Sequence, residues 1–290
     1  NGFFSLESNG TLRTAEVLNY ESNTTRLIRV RVTDDRGASV EAVFTVNVGD
    51  ENDPPVNLAA SAALNVMENQ PVSTVAGEFS ASDEDANATL TYELASGSGD
   101  ADNGLFTLET NGTLKTATVF DFESNASTYS VLVRVRDEHN ALVEGNFSVN
   151  LLDLNEDPFD LASIATLSVA ENQPAGFFVG EFNASDQDAN AILSYALVSG
   201  QGDAGNGLFS LDVNGTLRTA QSLDYEANAN LAIRVRVKDE HDAPVEGMFV
   251  VTVTDLNDRP ENLSVVSSLN IEENQPVGSP VGEFNAIDQD

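Results

Sequence analysis

Glu68-Asn69-Gln70-Pro71 returns as Glu171-Asn172-Gln173-Pro174 and again as Glu273-Asn274-Gln275-Pro276, at spacings of 103 and 102 residues. Other landmarks keep the same period. Asp-x-Asp occurs at Asp83/Asp85, Asp186/Asp188 and Asp288/Asp290, and Asn-Gly-Thr-Leu begins at Asn9, Asn111 and Asn214. An acidic segment containing Asn and Pro begins at Asp50, Asp153 and Asp255. A period of this length is that of one small domain rather than of a solenoid unit. The ends fall out of phase with it: Asn1-Gly2-Phe3-Phe4 corresponds to Asn103-Gly104-Leu105-Phe106, and Asp290 to Asp188. The expectation is two complete repeats, residues 56–158 and 159–260, flanked by the C-terminal part of one repeat (1–55) and the N-terminal part of another (261–290). The chain then reads as a window on a longer array.

Within a repeat, apolar and polar residues alternate, which is the period of a half-buried strand. Val133-Arg134-Val135-Arg136 and Val235-Arg236-Val237 put Val on one face and Arg on the other, and Phe147–Leu151 and Phe249–Val253 alternate likewise. Leu90–Leu94, Leu105–Leu108, Thr113–Thr116, Leu64–Met67 and Val75–Ala81 add short strands. Asn111-Gly112 and Asn214-Gly215 favour tight turns, because both residue types tolerate positive φ. About seven strands in roughly 100 residues, with no helical periodicity, predict an all-β protein of tandem Greek-key sandwiches of immunoglobulin type.

Composition narrows the functional classes. The 290 residues include 47 acids and 13 bases, a formal net charge of −34. Such a chain repels phosphates, which argues against nucleic acid as a partner. A hydrophobic content of 41% suffices for packed cores, and no apolar run approaches the roughly 18 residues of a membrane helix, so no membrane insertion is expected in this segment. With no Cys, disulfides, thiolate metal sites and Cys nucleophiles are excluded.

The acids recur at fixed places near the repeat ends. Around the connector between the complete repeats stand Glu68, Asp121, Glu123, Asp153, Asn155 and Glu156, then Asp186, Asp188 and Asp239. Their copies are Asn19, Glu21, Asp50, Asn52, Asp53, Asp83, Asp85 and Asp137 on one side, and Glu171, Asp224, Glu226, Asp255, Asn257, Asp258, Asp288 and Asp290 on the other. Bare like charges about 4 Å apart cost on the order of 4 kcal/mol per pair at an effective dielectric of 20, so convergence calls for cations. An all-oxygen donor set without a His or Cys cluster suits Ca²⁺ better than Zn²⁺ or copper. Asp186-x-Asp188-x-Asn190 opens like an EF-hand loop, but Ala191 and Leu197 occupy the positions of its Gly and Glu. Recurrence of the whole motif set in one order is the stronger signal.

These residues resemble the cadherin repeat. Its linker pattern is similar to Asp50-Glu51-Asn52-Asp53-Pro54-Pro55, Asp153-Leu154-Asn155-Glu156-Asp157-Pro158 and Asp255-Leu256-Asn257-Asp258-Arg259-Pro260. Its Glu-Asn motif matches Glu68-Asn69, Glu171-Asn172 and Glu273-Asn274, and its Leu-Asp-x-Glu motif matches Asp121-Phe122-Glu123 and Leu223-Asp224-Tyr225-Glu226. The resemblance implies calcium between successive sandwiches. Two departures stand out: Asn19 replaces Asp in Leu18-Asn19-Tyr20-Glu21, and Glu156 stands where the family prefers Asp. Only the middle connector carries its complete motif set within the chain.

The function expected is a calcium-rigidified extracellular array, a stalk or fibre segment used in adhesion, and not an enzyme. Its partners are neighbouring repeats of the same chain and homophilic or fibre self-association. A polysaccharide-binding sandwich is the alternative, for which Phe177-Phe178 is the one unusual aromatic pair. Catalysis by paired carboxylates fits poorly, because each pair recurs in every repeat and no nucleophile elbow or zinc motif is present. The scarcity of Lys, the absence of Cys and the near-constant spacing point to a large prokaryotic surface or matrix protein. His139 and His241 sit beside the late-strand Asp as loop residues. Nine Asn-x-Ser/Thr sequons (at Asn9, Asn23, Asn87, Asn111, Asn125, Asn146, Asn183, Asn214 and Asn262) carry sugar only in a host that glycosylates them.

Overall fold

A computed structural model describes residues 2–290. They fold as two compact units, residues 1–154 and 155–290. Among the described residues there is no α-helix, only two 3₁₀ turns at Asn103–Leu105 and Asn206–Leu208. Unit 1 opens with two hairpins, β1 (Phe4–Leu6) with β2 (Leu12–Thr14) and β3 (Thr25–Thr33) with β4 (Ser39–Asn47). A complete sandwich follows: β5 (Val56–Ala60), β6 (Leu64–Met67), β7 (Val75–Ser82), β8 (Thr91–Leu94), β9 (Phe106–Leu108), β10 (Thr113–Thr116), β11 (Thr128–Arg136) and β12 (Leu142–Leu152). Its sheets have the orders β5-β7-β10-β9 and β6-β12-β11-β8.

Unit 2 repeats the plan with β13 (Phe159–Ser163), β14 (Ser168–Ala170), β15 (Phe178–Ser185), β16 (Ser194–Leu197), β17 (Phe209–Leu211), β18 (Thr216–Thr219), β19 (Asn230–Lys238) and β20 (Pro244–Thr254). The orders are β13-β15-β18-β17 and β14-β20-β19-β16. A last antiparallel pair joins β21 (Glu261–Val265) to β22 (Phe284–Ile287).

The period-two pattern explains the core. Along β11, Tyr129, Val131, Val133 and Val135 are buried, while Arg134 and Arg136 point outward to Glu93 and Glu144. In β19, Leu231, Ile233, Val235 and Val237 do the same. The seven expected strands are present in each complete repeat, with one short strand more. β5 pairs with β7, and the chain then crosses at Ser61-Ala62-Ala63 so that β6 lies parallel to β12 in the other sheet. Each β5-type strand carries a bulge whose residue is left-handed: Asn57 (φ 57°), Asp160 (φ 55°) and Asn262 (φ 55°). Asn and Asp tolerate that region because their short side chains bond locally. The expected Asn-Gly turns are also found: Gly112 has φ +96°, and a Cβ there would lie 2.6 Å from the Phe79 carbonyl oxygen.

The two cores differ at one spot. In the first, Phe106, Phe120 and Tyr129 form an aromatic trio with centroids 4.9–6.0 Å apart. In the second, Leu223 and Leu231 replace Phe120 and Tyr129 beside Phe209, and a cavity of about 150 Å³ lies against Leu208, Leu223 and Leu231.

Strand directions put each repeat's acids at its two ends. β7 and β11 run towards one end, which carries Asp83, Asp85 and Asp137; β6 and β12 run towards the other, which carries Glu68 and Asp153. Truncating a core residue should therefore loosen both ends. Leu217, fully buried in the second core, should cost about 2–5 kcal/mol when changed to Ala. Denaturant unfolding would show this as a lowered midpoint for one transition, with the other unmoved.

Candidate metal centres at the repeat ends

Each end of a sandwich is organised by backbone N–H groups that hold carboxylate oxygens. At the start of the first complete sandwich, the Asn52 amide donates to Asp137 Oδ2 (2.8 Å) and to its neighbour's carbonyl, Asp53 O (2.9 Å). Asp53 N–H donates to Asp85 Oδ2 (2.9 Å), and Asp85 N–H to Asp83 Oδ1 (3.0 Å). Asp137 Oδ1 accepts the N–H groups of His139 and Ala141, both at 2.9 Å. The second complete sandwich reproduces the network. Asn155 donates to Asp239 Oδ2 (2.8 Å), Glu156 N–H to Asp188 Oδ2 (3.0 Å), Asp188 N–H to Asp186 Oδ1 (3.0 Å), and His241 and Ala243 to Asp239 Oδ1. At β21 the pattern returns: Asn257 donates to Asp258 O, and Asp258 N–H to Asp290 Oδ2 (2.8 Å). Asp288 stands in the matching triplet after β22.

The opposite end is built on one buried glutamate. Glu68, 0% exposed, accepts N–H bonds from Phe122 (2.6 Å) and Leu154 (2.8 Å). Glu171, 1% exposed, accepts the corresponding bonds from Tyr225 (2.7 Å) and Leu256 (2.9 Å). Each glutamate thus ties the segment before β11 or β19 to the segment after β12 or β20. Asp121 and Asp224 cap the turns that follow them, accepting N–H from Ser124 (3.0 Å) and Ala227 (2.9 Å). Asn172 donates to Asp258 Oδ1 (2.7 Å).

Within unit 1 these scaffolds gather Glu21, Asp50 and Asp85, with one carboxylate oxygen from each within 4.8 Å of the others. Glu21, Asp53 and Glu84 form a second such group. In unit 2, Glu171, Glu226 and Asp255 form a third. Asn19 lies beside the second group, bonded to Glu84. Glu123 and Asp153 belong to the Glu68 end of unit 1. Glu84 is the residue that sequence reasoning missed. Its signal was an acid inside Asp83-Glu84-Asp85, where the other copies have Gln187 and Gln289.

The charges perturb one another. Burial raises the Asp53 pKa, and the charges of Asp85, Glu84, Asp83 and Asp50 add to it. Burial likewise raises Asp186 against the bond from Asp188 N–H, helped by Asp188, Asp239 and Glu240. Glu226 is bonded by its own N–H, but burial and the charges of Glu171, Asp255 and Asp224 outweigh that bond and raise it. Asp137 is lowered, first by the Asn52 amide. Burial pushes Asp239 up, yet the Asn155 amide and two backbone N–H groups leave it lowered.

The donor set fits a hard cation. It is oxygen throughout, and Asp83 Oδ2 and Asp186 Oδ2 are buried without a hydrogen-bond partner. A buried carboxylate oxygen without a partner is costly unless a positive charge meets it. The residues that could hold Ca²⁺ in unit 1 are Glu21, Asp50, Asn52, Asp53, Asp83, Asp85 and Asp137, and in unit 2 Glu171, Glu226 and Asp255.

Two predictions follow from this geometry. Glu171→Ala strands two part-buried N–H groups and should cost about 1–3 kcal/mol even with calcium chelated; urea melts of Glu171→Gln, which keeps an acceptor, should show a smaller loss. The second concerns pH. Asp53, Asp186 and Glu226 have raised pKa values, so the metal-free fold gains stability as pH falls through those values towards the ordinary range near about 4. Asp137 and Asp239 are depressed, so their stabilisation holds above the ordinary range and is lost as pH falls through their lowered values. Calorimetry in chelator should show a melting maximum below pH 7; a steady decline from pH 7 downwards would contradict this.

Comparison with known proteins agrees with the fold. The family model of the Cadherin domain matches residues 63–152 and 165–254. Human Protocadherin-16 is 34% identical over 296 residues, covering 97% of this chain and 9% of that protein. Human Protocadherin Fat 4 is 30% identical over 302 residues, covering 99% and 6%. The Drosophila melanogaster protocadherin-like wing polarity protein stan is 30% identical over 297 residues, covering 97% and 8%. The chain therefore spans less than a tenth of these relatives' length. Among solved structures, Protocadherin Gamma B2 extracellular cadherin domains 1–5 superpose with a TM-score of 0.62 at 20% identity, covering 99% of this chain and 57% of that one. Mouse Cadherin-23 EC22-24 gives 0.56 at 24% identity, covering 88% and 83%; at these identities the likeness shows the fold. Two tandem matches across more than half of the sequence make the assignment: the chain belongs to the cadherin family, as an extracellular segment without enzymatic function.

Proposed function

We propose that this segment is a calcium-rigidified stretch of an adhesive repeat array, with repeat boundaries near residues 55, 158 and 260 and Ca²⁺ held at the connectors. The observation that carries the proposal is the orphaned oxygen of Asp83, repeated at Asp186, next to carboxylates already oriented by backbone N–H groups. By the motif set, Glu68, Asp121, Glu123, Asp153, Asn155, Glu156, Asp186, Asp188 and Asp239 serve the middle connector. Glu171, Asp224, Glu226, Asp255, Asn257, Asp258, Asp288 and Asp290 serve the last.

Bound calcium supplies the positive charge that lets acids of two successive repeats share one small volume. The chain's own part is to present them. Glu68 and Glu171 fix one side of a connector to the core, and the Asp-x-Asp triplets fix the other. Extracellular modules bind calcium at about 10⁻⁴ to 10⁻³ M, so the connectors would be ordered outside a cell and loosened where calcium is low. Neighbouring repeats of the same chain are the first partners, and homophilic or fibre contacts of the whole protein extend the same reading. A surface polysaccharide is the second reading. It draws on Phe177 and Phe178, exposed by 43% and 49% where the preceding repeat has Thr74 and Val75.

The test is thermal melting and small-angle scattering of the 290-residue chain in millimolar Ca²⁺ and in chelator. Calcium should raise the melting temperature by about 5 °C or more and narrow the distribution of dimensions. Asp186→Ala with Asp188→Ala should remove most of that gain. Identical curves with and without calcium would sink the proposal, and loss of glycan binding on Phe178→Ala would favour the second reading.

A further inference from the structure

Three equivalent positions open the Asx-x-Glu motif: Asn19, Asp121 and Asp224. In each, Oδ1 does the same local work, accepting N–H from Ser22 (2.6 Å), Ser124 (3.0 Å) and Ala227 (2.9 Å). The second side-chain atom is where they part. In Asp121 and Asp224 it is an oxygen; that of Asp121 accepts the Ser124 hydroxyl at 3.0 Å. In Asn19 it is an N–H₂ group, and it donates to Glu84 Oε2 at 2.9 Å, 65 residues along the chain. Glu84 is the centre of Asp83-Glu84-Asp85, and the corresponding centres are Gln187 and Gln289. In sequence the first copy thus carries the amide in the Asx-x-Glu motif and the acid inside Asp-x-Asp, whereas the later copies carry Asp121 and Asp224 in the former and Gln187 and Gln289 in the latter.

We propose that Asn19 and Glu84 form a metal-independent clasp across the first connector, holding the partial repeat before it to the sandwich after it when calcium is withdrawn. The clasp goes beyond the calcium reading and does not rest on it. A carboxylate that accepts an N–H bond is held by a charge-assisted interaction. That bond also offsets the repulsion of Glu84 by Glu21 and Asp53, which lie within 4.8 Å in the same group. The exchange has a selective side too. Asp in place of Asn19 would set two carboxylates against each other, so the first connector rejects the residue that the other two use.

The test uses the full chain and the connector's exposed Glu51, read as the rate of cleavage after Glu51 by a glutamate-specific protease in chelator. Asn19→Asp keeps the turn cap but loses the donor, and should be cut about three- to tenfold faster than the wild type. Asn19→Asp with Glu84→Gln restores a donor facing a carboxylate in the reversed sense, and should return to within about twofold of wild type. If Asn19→Asp is cut at the wild-type rate, or the double variant as fast as Asn19→Asp, the clasp is refuted. A parallel series in millimolar Ca²⁺ separates the two proposals. Protection by calcium that vanishes in no variant bears on the metal, whereas the rescue in chelator bears on the clasp alone.

Discussion

Like-charge repulsion governs the ends of these sandwiches. Carboxylate oxygens from Glu21, Asp50 and Asp85 stand within 4.8 Å of one another, and so do those of Glu171, Glu226 and Asp255. Hydrogen bonds orient some of these acids: Asp85 accepts Asp53 N–H, and Glu171 accepts two backbone N–H groups. Asp137 receives three hydrogen-bond donors, and Glu68 receives two backbone N–H groups while fully buried. Anchoring lowers the energy of the charged form at some positions, such as Asp137, and leaves others, such as Asp53 and Asp186, with raised pKa values. The ends store that tension, and a cation can release it.

The core makes such precision affordable. Val131, Val133 and Val135 in one repeat and Ile233, Val235 and Val237 in the next are sealed from solvent, so the loops at the strand ends spring from rigid stems. The hydrogen bonds of the two Asp-x-Asp networks agree to about 0.1 Å even though the cores differ in their aromatic content. A small cavity lies beside Leu223 and Leu231, which stand where the first repeat has Phe120 and Tyr129, yet the hydrogen-bond networks of the two repeats keep the same geometry. The ends are set by the register of β11 with β12 and of β19 with β20, which a side-chain exchange in the interior does not shift.

Much of this was legible in the chain. The 102–103-residue period and the Val-Arg alternation of β11 and β19 point to the sandwiches, because strand parity records which face is buried. That Asp83, Asp85 and Asp137 belong together was legible from their joint recurrence, and the structure gathers them in one hydrogen-bonded end. Three things were not. The split of the first strand into β5 and β6 depends on a left-handed bulge residue, and Asn57 or Asp160 is equally at home in an ordinary loop. Glu84 escaped notice because its counterparts are Gln187 and Gln289, so a rule based on repetition passes over it. The buried state of Glu68 and Glu171 is invisible in sequence, since Glu-Asn-Gln-Pro carries no hydrophobic signature.

The division of labour within each carboxylate is what fits these ends for metal. A carboxylate has about four lone-pair sites, and a single N–H bond leaves the others open. Asp83 gives Oδ1 to Asp85 N–H and keeps Oδ2 buried without a partner; Asp186 repeats this with Asp188. Glu68 and Glu171 give each oxygen one N–H bond and still retain acceptor capacity on both. The orientation of these carboxylates is thus fixed by the polypeptide itself, so little side-chain entropy would remain to be lost on meeting a cation. Asn19 shows the same logic with the opposite outcome. Its Oδ1 caps the turn as Asp121 and Asp224 do, but its second atom is a donor, so what it orients towards the connector is a hydrogen bond to Glu84. One atom's identity, at a position whose backbone role is unchanged, decides whether the side chain offers the connector a donor or an acceptor.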